Sequence, residues 1–287
     1  MPKQTGHLAP PGTAVGGSDT TGKSGAEVGG RVEAPQWLAR GDAGRDVRDD
    51  ALFATRLSVV VPTRDEEDNV ASLATRLSAA LARGARWELV VVDDSSDTTP
   101  QRVEELGRIG LPCRLLRREP GERAGGLGGA VLRGFEVAEG DVLVVMDADL
   151  QHPPELVPTL ASIVAMGAAD LAIASRYSAG GSAVGLDGSL RWTISEMSRL
   201  AARFALPGAR RVHDPLSGFF ALRRSVLATG PRSSDGFKIL LDILVRGSWE
   251  RAIEVPFEIA PRVSGASKAG VEEGVRFLRQ LGRLRLR

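Results

Sequence analysis

The order of hydrophobic patterns between Leu57 and Ser175 constrains the fold more than any other feature of this chain. Short apolar runs of strand length alternate there with longer stretches whose apolar residues recur every three or four positions, as from Val70 to Leu81. We predict strands at Leu57–Val61, Glu88–Val92, Arg114–Arg117, Asp141–Met146 and Asp170–Ser175, and helices at Asp68–Arg83, Pro100–Gly107, Gly126–Glu139 and Pro154–Met166. This alternation predicts a Rossmann-like α/β fold, in which a mostly parallel sheet carries helices on both faces.

Three polar segments directly follow predicted strands. They are Thr63–Asp68, Asp93–Asp97 and Asp147–His152. The carboxyl ends of parallel strands lie at one edge of a sheet, and proteins of this class bind their ligands there. The sequence therefore predicts a ligand site built from these three segments.

The segment after the fourth predicted strand has an oxygen ligand at every second residue. If the chain stays extended there, Asp147, Asp149 and Gln151 point the same way. Oxygen ligands suit a hard cation such as Mg²⁺ or Mn²⁺, which keeps waters and takes substrate phosphates as further ligands. The alternative is a simple turn at the strand end, with an aspartate capping the helix that begins near Pro154.

Two further segments are suited to a nucleotide. Carboxylates at Asp93 and Asp97 can accept hydrogen bonds from ribose hydroxyls or a nucleobase, although Asp97 equally suits the cap of the next helix. The glycine run Gly125–Gly129 precedes a predicted helix and allows backbone to approach a ligand closely.

Composition excludes several classes of protein. The chain has 37 Lys and Arg against 36 Asp and Glu, and this net charge of +1 argues against a globally basic nucleic-acid binder. Its single cysteine, Cys113, excludes an intrachain disulfide and a multi-thiolate metal site. No apolar run approaches the roughly 18–20 residues that span a bilayer, and Met1–Pro10 lacks the apolar core of a secretion signal. We therefore expect a cytoplasmic protein.

We divide the chain into three parts. Residues 1–50 are rich in Gly, Ser and Pro without a hydrophobic period, so we expect a disordered tail. Residues 51–272 suit one large domain. Residues 273–287 form a basic segment in which arginines alternate with apolar residues, typical of a helix that lies on an anionic membrane. A helix that packs on the domain with its basic face in water is the alternative.

Four ordered motifs resemble those of the family 2 glycosyltransferases, which have the GT-A fold of nucleotide-diphospho-sugar transferases. These motifs are Val61–Glu66, Asp93–Asp97, Gly126–Ala130 and Asp147–Glu155. Motifs in the second half resemble those of the dolichol- and polyprenol-phosphate mannose synthases within that family. They are Ser175–Tyr177, Asp214–Phe220, Gly236–Lys238, Glu254–Pro256 and Arg262–Lys268. The resemblance extends from about Leu57 to Leu281.

The resemblance implies an inverting transfer of mannose from GDP-mannose to a polyprenyl phosphate, with Mg²⁺ or Mn²⁺ as the cofactor. It implies metal ligation by Asp147, Asp149 and Gln151, and catalytic roles for Asp149, Arg176 and Arg262. It places the acceptor phosphate against Arg176, Arg191 and Ser195. It places the donor against Pro62, Arg64, Glu66, Val91, Asp93, Asp94, Asp147, Ala148, Asp149, Lys238, Arg262 and Lys268.

Two departures from the family pattern concern the nucleobase. Arg64 and Asp65 stand where the family has Tyr-Asn, and the basic residue usual before Gly-Leu-Gly is displaced, with Arg123 nearby. A UDP-sugar donor with the same fold and acceptor is therefore an alternative. Two others are a non-catalytic module that binds a nucleotide sugar or lipid, and a hydrolase of nucleotide sugars.

The expected acceptor needs no strong base. A phosphate monoester has a second pKa of about 6, so its oxygen is already anionic near pH 7. Arginine forks bind phosphate oxygens and reduce their repulsion from the leaving diphosphate. Because a polyprenyl acceptor resides in the bilayer, we expect a peripheral protein on the inner, cytoplasmic face of the membrane. A separate membrane-anchoring protein is a further partner that this location would permit.

Overall fold

The computed structural model describes residues 47–81, 84–178, 180–181, 189–231, 238–259 and 271–286. Most of the predicted tail and the predicted site residues Arg262 and Lys268 lie outside these ranges. The described residues form one seven-stranded sheet with helices on both faces, which confirms the predicted fold class.

The five strands predicted from the sequence are all present, within two residues of their expected bounds. The strands are β1 (Arg56–Thr63), β2 (Arg86–Asp93), β3 (Cys113–Arg117), β4 (Val142–Val145), β5 (Leu171–Ser175), β6 (Phe220–Arg223) and β7 (Ala252–Pro256). Their order across the sheet is β3-β2-β1-β4-β6-β5-β7. Strand β6 is antiparallel to both neighbours, and the other pairings are parallel.

The antiparallel strand β6 lies between β4 and β5. Because β6 runs the opposite way, it begins at the sheet edge where β4 and β5 end. The segment before it, Asp214–Phe219, therefore reaches the edge that the predicted ligand segments occupy.

Alternate residues of β1 face opposite helical layers. The helices are α1 (Val47–Ala54), α2 (Val70–Leu81), α3 (Thr99–Arg108), α4 (Gly126–Val137), α5 (Val157–Ala165), α6 (Ser189–Ala205), α7 (Pro207–Arg210), α8 (Ile239–Arg246) and α9 (Val271–Arg285), with short 3-10 helices at Pro120–Glu122, Pro154–Leu156 and Arg224–Ala228. Val59 and Val61 pack with α1, α2, α3 and α5, whereas Val60 packs with α4 and α8. Gly134 allows α4 to cross β1 closely, since a Cβ there would lie 2.3 Å from Val60 Cγ1.

Both expected domain boundaries fall inside helices. Helix α1 begins at Val47, four residues before the expected start of the domain, because Leu52 is buried in the core against α5. Helix α9 begins at Val271 and packs on the domain through Phe277 and Leu284. The basic C-terminal segment is therefore part of the folded unit.

A third apolar cluster joins α6, α7, α8 and α9 through residues such as Ala202, Leu241 and Phe277. Large apolar side chains outside this cluster are exposed on two of these helices: Met197, Leu200 and Phe204 on α6, and Leu278 on α9. Among the helices of the described ranges, we find none long and apolar enough to cross a bilayer.

Candidate active site

The segments that follow β1, β2, β4 and β5 lie at one edge of the sheet. These strands are mutually parallel, so their carboxyl ends share that edge, and Thr63 pairs directly with Asp93. Strand β7 ends there too, because Pro256 pairs with Ser175. Strand β3 ends there as well, because Arg117 pairs with Asp93, so six strands end at this edge, where α/β proteins bind ligands.

Asp93 stabilises one side of the site through internal hydrogen bonds. Its fully buried carboxylate accepts hydrogen bonds from Thr63 Oγ1 at 2.8 Å, from Ser95 Oγ at 2.5 Å and from the Ser95 backbone N–H at 3.2 Å. Val91 is fully buried in the core, and Ala148 is buried as well. In this structure internal donors hold the Asp93 carboxylate and packing encloses the two apolar side chains, while the donor contacts expected of these three residues stay predictions.

Asp94 is the more accessible aspartate, and its partner is Arg118. The buried Arg118 side chain donates from Nε to Asp94 Oδ1 at 2.8 Å and from Nη2 to Oδ2. It also donates to the carbonyls of Ala124, at 3.3 Å, and Gly126, at 3.0 Å. Arg123, the basic residue expected here, lies 4.0 Å from Asp94. Arg118 therefore ties the end of β2 to the glycine run.

The glycine run forms a tight turn into α4. Gly125 and Gly126 have φ values of 78° and 55°, in the left-handed region that glycine adopts without steric cost. Helix α4 follows directly and presents its first N–H groups at this edge of the sheet. Arg276 of α9 lies beside the turn, since its Nη1 is 3.8 Å from the place that a Cβ would take at Gly126.

The loops after β1 and β2 are bonded to each other. The Asp65 carboxylate accepts the Ser96 backbone N–H at 2.9 Å, while the Asp65 backbone N–H donates to Ser95 Oγ at 2.8 Å. Asp65 has a φ of 55°, a conformation that Asp and Asn tolerate better than most residues. Arg64 is exposed and Glu66 is half-buried, with its N–H on Thr99 Oγ1. Asp65 thus meets the backbone requirement of the position where the family has Asn.

The segment after β4 is bent, which differs from the extended geometry expected. Leu150 has a φ of 60°, so the side chains on either side of it do not alternate as in a strand. The Gln151 backbone N–H donates to Asp149 Oδ1 at 3.1 Å and closes a local turn. Asp147 has a side chain that is 40% exposed, whereas Asp149 is largely buried. The two carboxylates are therefore presented by a turn.

His152 holds this turn against the core. It accepts the Asp147 backbone N–H on Nδ1 at 3.1 Å and stacks on Phe219 with a centroid distance of 5.1 Å. Burial lowers the pKa of His152 to about 4; the charge of Asp149 raises it, whereas those of Arg176 and Lys238 lower it further. The ring is thus neutral near pH 7 and hydrogen-bonds within its own segment.

Arg176, directly after β5, is clamped by Asp214. Its Nε donates to Asp214 Oδ2 at 2.8 Å, its Nη2 to Oδ1 at 2.9 Å, and its backbone N–H to Oδ2 at 3.2 Å. Burial alone would lower the pKa of Arg176, but the charges of Asp214 and, less strongly, Tyr177 and Asp147 leave it raised. The guanidinium of Arg176 is therefore close enough to interact electrostatically with the acidic turn, by which we mean Asp147–Gln151.

Tyr177 connects Arg176 to α6. Its hydroxyl lies 3.2 Å from Ser195 Oγ, and the guanidinium of Arg199 lies 4.6 Å from its ring centroid. Arg176 lies 5.5 Å from the same ring. Arg191 belongs to α6 as well, but its side chain is outside the described part of the chain. Ser195 thus lies beside Tyr177, the residue that follows Arg176.

Residues 58–230 match the family described as glycosyl transferase family 2. The chain belongs to this family. It is 42% identical over 230 residues to a dolichol-phosphate mannosyltransferase of Pyrococcus furiosus, covering 80% of this chain and 63% of that protein, which is less than two thirds of its length. A dolichol-phosphate mannosyltransferase of Saccharomyces cerevisiae is 39% identical, covering 79% of this chain and 86% of that protein.

Solved structures confirm the GT-A fold of this glycosyltransferase. Mannosyl-3-phosphoglycerate synthase from Rubrobacter xylanophilus has a TM-score of 0.63 at 21% identity, covering 84% of this chain and 76% of that one. Glucosyl-3-phosphoglycerate synthase from Mycobacterium tuberculosis, in complex with Mn²⁺, UDP-glucose and phosphoglyceric acid, has a TM-score of 0.62 at 23% identity, covering 83% and 81%.

The oxygen ligands that the acidic turn offers suit a hard cation that takes few of its ligands from the protein. No cluster of three or more His, Cys, Asp and Glu side chains suited to a metal occurs in the described ranges. The turn offers two carboxylates, of Asp147 and Asp149, and the amide oxygen of the half-buried Gln151. Mg²⁺ and Mn²⁺ accept such a set when water and substrate phosphates complete it.

The structure brings the segments after β1, β2, β4 and β5 to one edge of the sheet and adds Arg118, which the sequence did not single out. Arg118 could have been found because it follows β3, whose carboxyl end lies at the site edge. Asp214 carried only a weak signal, since a buried clamp on Arg176 requires the antiparallel β6 to bring it there. The predicted roles of Arg262 and Lys268 concern residues outside the described ranges.

Proposed function

We propose that this glycosyltransferase moves mannose from GDP-mannose to the phosphate of a polyprenyl phosphate, with Mg²⁺ or Mn²⁺ as the cofactor. One observation carries the proposal: the turn that carries Asp147 and Asp149 and the clamped guanidinium of Arg176 lie at the same edge of the sheet, and the charge of Asp147 raises the pKa of Arg176. The names of the relatives at 42% and 39% identity support mannose as the sugar and a lipid phosphate as the acceptor.

We assign the nucleoside to the loops after β1 and β2. Pro62, Arg64 and Glu66 come from the first loop, and Asp94, fixed by Arg118, comes from the second. The first N–H groups of α4 suit the diphosphate, since helix N-termini attract anions.

A divalent cation held by Asp147, Asp149 and Gln151 would neutralise the negative charge that builds on the diphosphate as it leaves. Lys238 adds positive charge near the acidic turn, because its charge lowers the pKa of His152. By resemblance, Arg262 and Lys268 would add to this charge.

The acceptor phosphate is held by Arg176 in our proposal. Asp214 engages Nε and Nη2, which fixes the plane of the guanidinium, and a guanidinium has five N–H donors in all. The remaining donors can bind a phosphate oxygen while Asp214 keeps its place. Arg191 and Ser195 are proposed as further support on α6.

The transfer needs no proton acceptor. A phosphate oxygen forms the bond to the anomeric carbon as the bond to the diphosphate breaks, and the electron pair leaves with the diphosphate. His152 is the buried histidine of the site, but its Nδ1 already accepts a backbone N–H and its pKa is far below 7. It therefore holds the acidic turn in place, and the anionic acceptor attacks unaided.

A membrane surface is the partner that we propose for α6 and α9. Met197, Leu200 and Phe204 recur at helical spacing and are exposed, and Leu278 is exposed between Arg279 and other basic residues of α9. Exposed apolar side chains next to arginines bind anionic lipid surfaces. On such a surface, the site would meet the phosphate of a lipid on the inner, cytoplasmic face.

A comparison of three nucleotide-sugar donors tests whether the protein is the proposed enzyme. Purified protein is given farnesyl phosphate, Mg²⁺ or Mn²⁺, and in turn GDP-mannose, UDP-glucose and GDP-glucose, and lipid-linked sugar is measured. We expect transfer from GDP-mannose, abolished by Asp149→Ala but not by Asp141→Ala, an exposed aspartate at the opposite end of β4. Transfer from UDP-glucose alone would establish the alternative donor. Sugar release without lipid would indicate a hydrolase, and binding without turnover a binding module.

Vesicle co-sedimentation tests the membrane proposal. Phe204→Ser is expected to weaken binding to vesicles that contain phosphatidylserine. Ile109→Ser is the matched control, because Ile109 is equally exposed, at 76% against 78%, but ends α3. Equal binding by both variants and the wild type would contradict the role of α6 and favour a separate anchoring protein.

A further inference from the structure

Glu254 is a buried carboxylate for which the proposed reaction has no direct use. It lies on β7, two residues before Pro256, and is 1% exposed. Strand β7 ends at the site edge, because Pro256 pairs with Ser175. A buried, ionisable side chain is costly unless hydrogen bonds compensate it, so its partners indicate what it does.

Both oxygens of Glu254 bind the segment that carries Asp214. Oε1 accepts the Asp214 backbone N–H at 2.9 Å. Oε2 accepts the His213 backbone N–H at 2.7 Å and lies 2.7 Å from His213 Nδ1. One carboxylate thus fixes two consecutive peptide groups, and with them the direction in which the Asp214 side chain leaves the backbone.

Asp214 in turn fixes Arg176. It is fully buried, and its two oxygens accept three N–H groups of Arg176, one from the backbone and two from the guanidinium. The chain of contacts therefore runs from Glu254 through the backbone of Asp214 to the guanidinium of Arg176. Each link is a hydrogen bond to a charged group, and such bonds are the strong ones in proteins.

We infer that Glu254 is a positioning residue for the acceptor phosphate, acting through Asp214 on Arg176; this inference rests on the proposed function. A glutamine at 254 keeps the size of the side chain but replaces one acceptor oxygen with an amide donor. Either the His213 or the Asp214 N–H then faces a donor, so the segment shifts and Arg176 loses its fixed plane. Within the described ranges, the hydrogen bonds of Glu254 go to the His213–Asp214 segment and not to a residue that we assign to the donor.

The test compares Glu254→Gln with Glu88→Gln. Glu88 is also a buried glutamate on the sheet; it accepts bonds from Ser58 Oγ at 2.7 Å and the Glu139 N–H at 2.6 Å, but lies near the opposite end of β2. Glu254→Gln is expected to raise KM for farnesyl phosphate about tenfold, with little change in KM for GDP-mannose. Glu88→Gln is expected to change neither, although both variants lose stability.

A double-mutant cycle with Arg176→Ala distinguishes a positioning role of Glu254 from a general loss of structure. If Glu254 acts through Arg176, Glu254→Gln adds no further rise in KM for farnesyl phosphate when Arg176 is already alanine. Full additivity of the two changes, or an effect of Glu254→Gln no larger than that of Glu88→Gln, overturns the inference. His213→Ala provides a milder variant, because its side chain is 44% exposed, and should raise the same KM about threefold.

Direct binding distinguishes a failure of this inference from a failure of the proposed function. Farnesyl phosphate is titrated into the metal-loaded wild type and each variant by calorimetry. Wild-type binding without mannose transfer would reject the function, while a tenfold weaker affinity of Glu254→Gln would still support the positioning role. Equal affinities of wild type and Glu254→Gln, or no binding by the wild type, would overturn it.

Discussion

Acid is expected to destabilise this glycosyltransferase through His152. The buried ring has a pKa of about 4 in the folded chain, against 6.5 when exposed, so protons bind the unfolded state first as pH falls. The stabilisation is fully present above pH 6.5 and is lost as pH falls towards 4. One pKa unit corresponds to about 1.4 kcal/mol, so lowering the pH from 7.5 to 5.0 should cost about 2 kcal/mol of unfolding free energy at this residue.

Urea denaturation at pH 7.5 and 5.0, in the presence of EDTA, measures this loss. His152→Gln removes the titration, and the glutamine oxygen can still accept the Asp147 N–H. Other groups titrate equally in both proteins, so the wild type should lose about 2 kcal/mol more than the variant between the two pH values. The same loss in both proteins would mean that the His152 ring is already protonated in the fold or exposed, and would refute the reasoning.

Three further predictions concern residues of the site and core. Arg176→Ala should raise KM for lipid phosphate more than KM for the donor in steady-state kinetics; equal effects would contradict its acceptor role. Arg118→Met should lower the unfolding free energy by about 3–5 kcal/mol, measured by urea denaturation, because it leaves the Asp94 carboxylate without its charged partner. A loss below about 1 kcal/mol would show that water replaces the ion pair. Burial raises the pKa of the Cys113 thiol from 9.0 to about 11, so less of the thiol is ionised at pH 8. The thiol of the native protein should therefore react with a disulfide reagent about 100-fold more slowly than that of the unfolded chain. Comparable rates would show that the Cys113 thiol is not buried.

The sequence predicted the elements of the fold better than their arrangement. Periodicity marks a strand or a helix locally, so the strands from β1 to β5 were found within two residues. The place of β6 depends on pairing between Phe220–Arg223 and residues some 50 to 80 positions away, for which the chain carries no local pattern. Without β6, nothing indicated that Asp214 would reach Arg176.

Within the site, residue type was easier to predict than role. Acidic and basic side chains converge at the strand ends, as predicted from parallel topology. Asp93 and Asp94 are adjacent, yet one accepts hydrogen bonds from Thr63 and Ser95 and the other pairs with Arg118, because successive residues at a strand end point to opposite sides. The extended geometry expected for Asp147–Gln151 failed at Leu150, whose left-handed backbone no propensity of leucine would suggest.

The configuration of the product tests the central claim most directly. If an anionic lipid phosphate held by Arg176 attacks the sugar itself, GDP-α-mannose must yield the β-linked mannosyl phosphate. The one-bond carbon–hydrogen coupling at the anomeric position, measured by NMR on product made from ¹³C-labelled donor, distinguishes the two anomers. We expect the β anomer; the α anomer would mean a double displacement or attack from the face of the leaving group, and would contradict direct in-line attack by the acceptor.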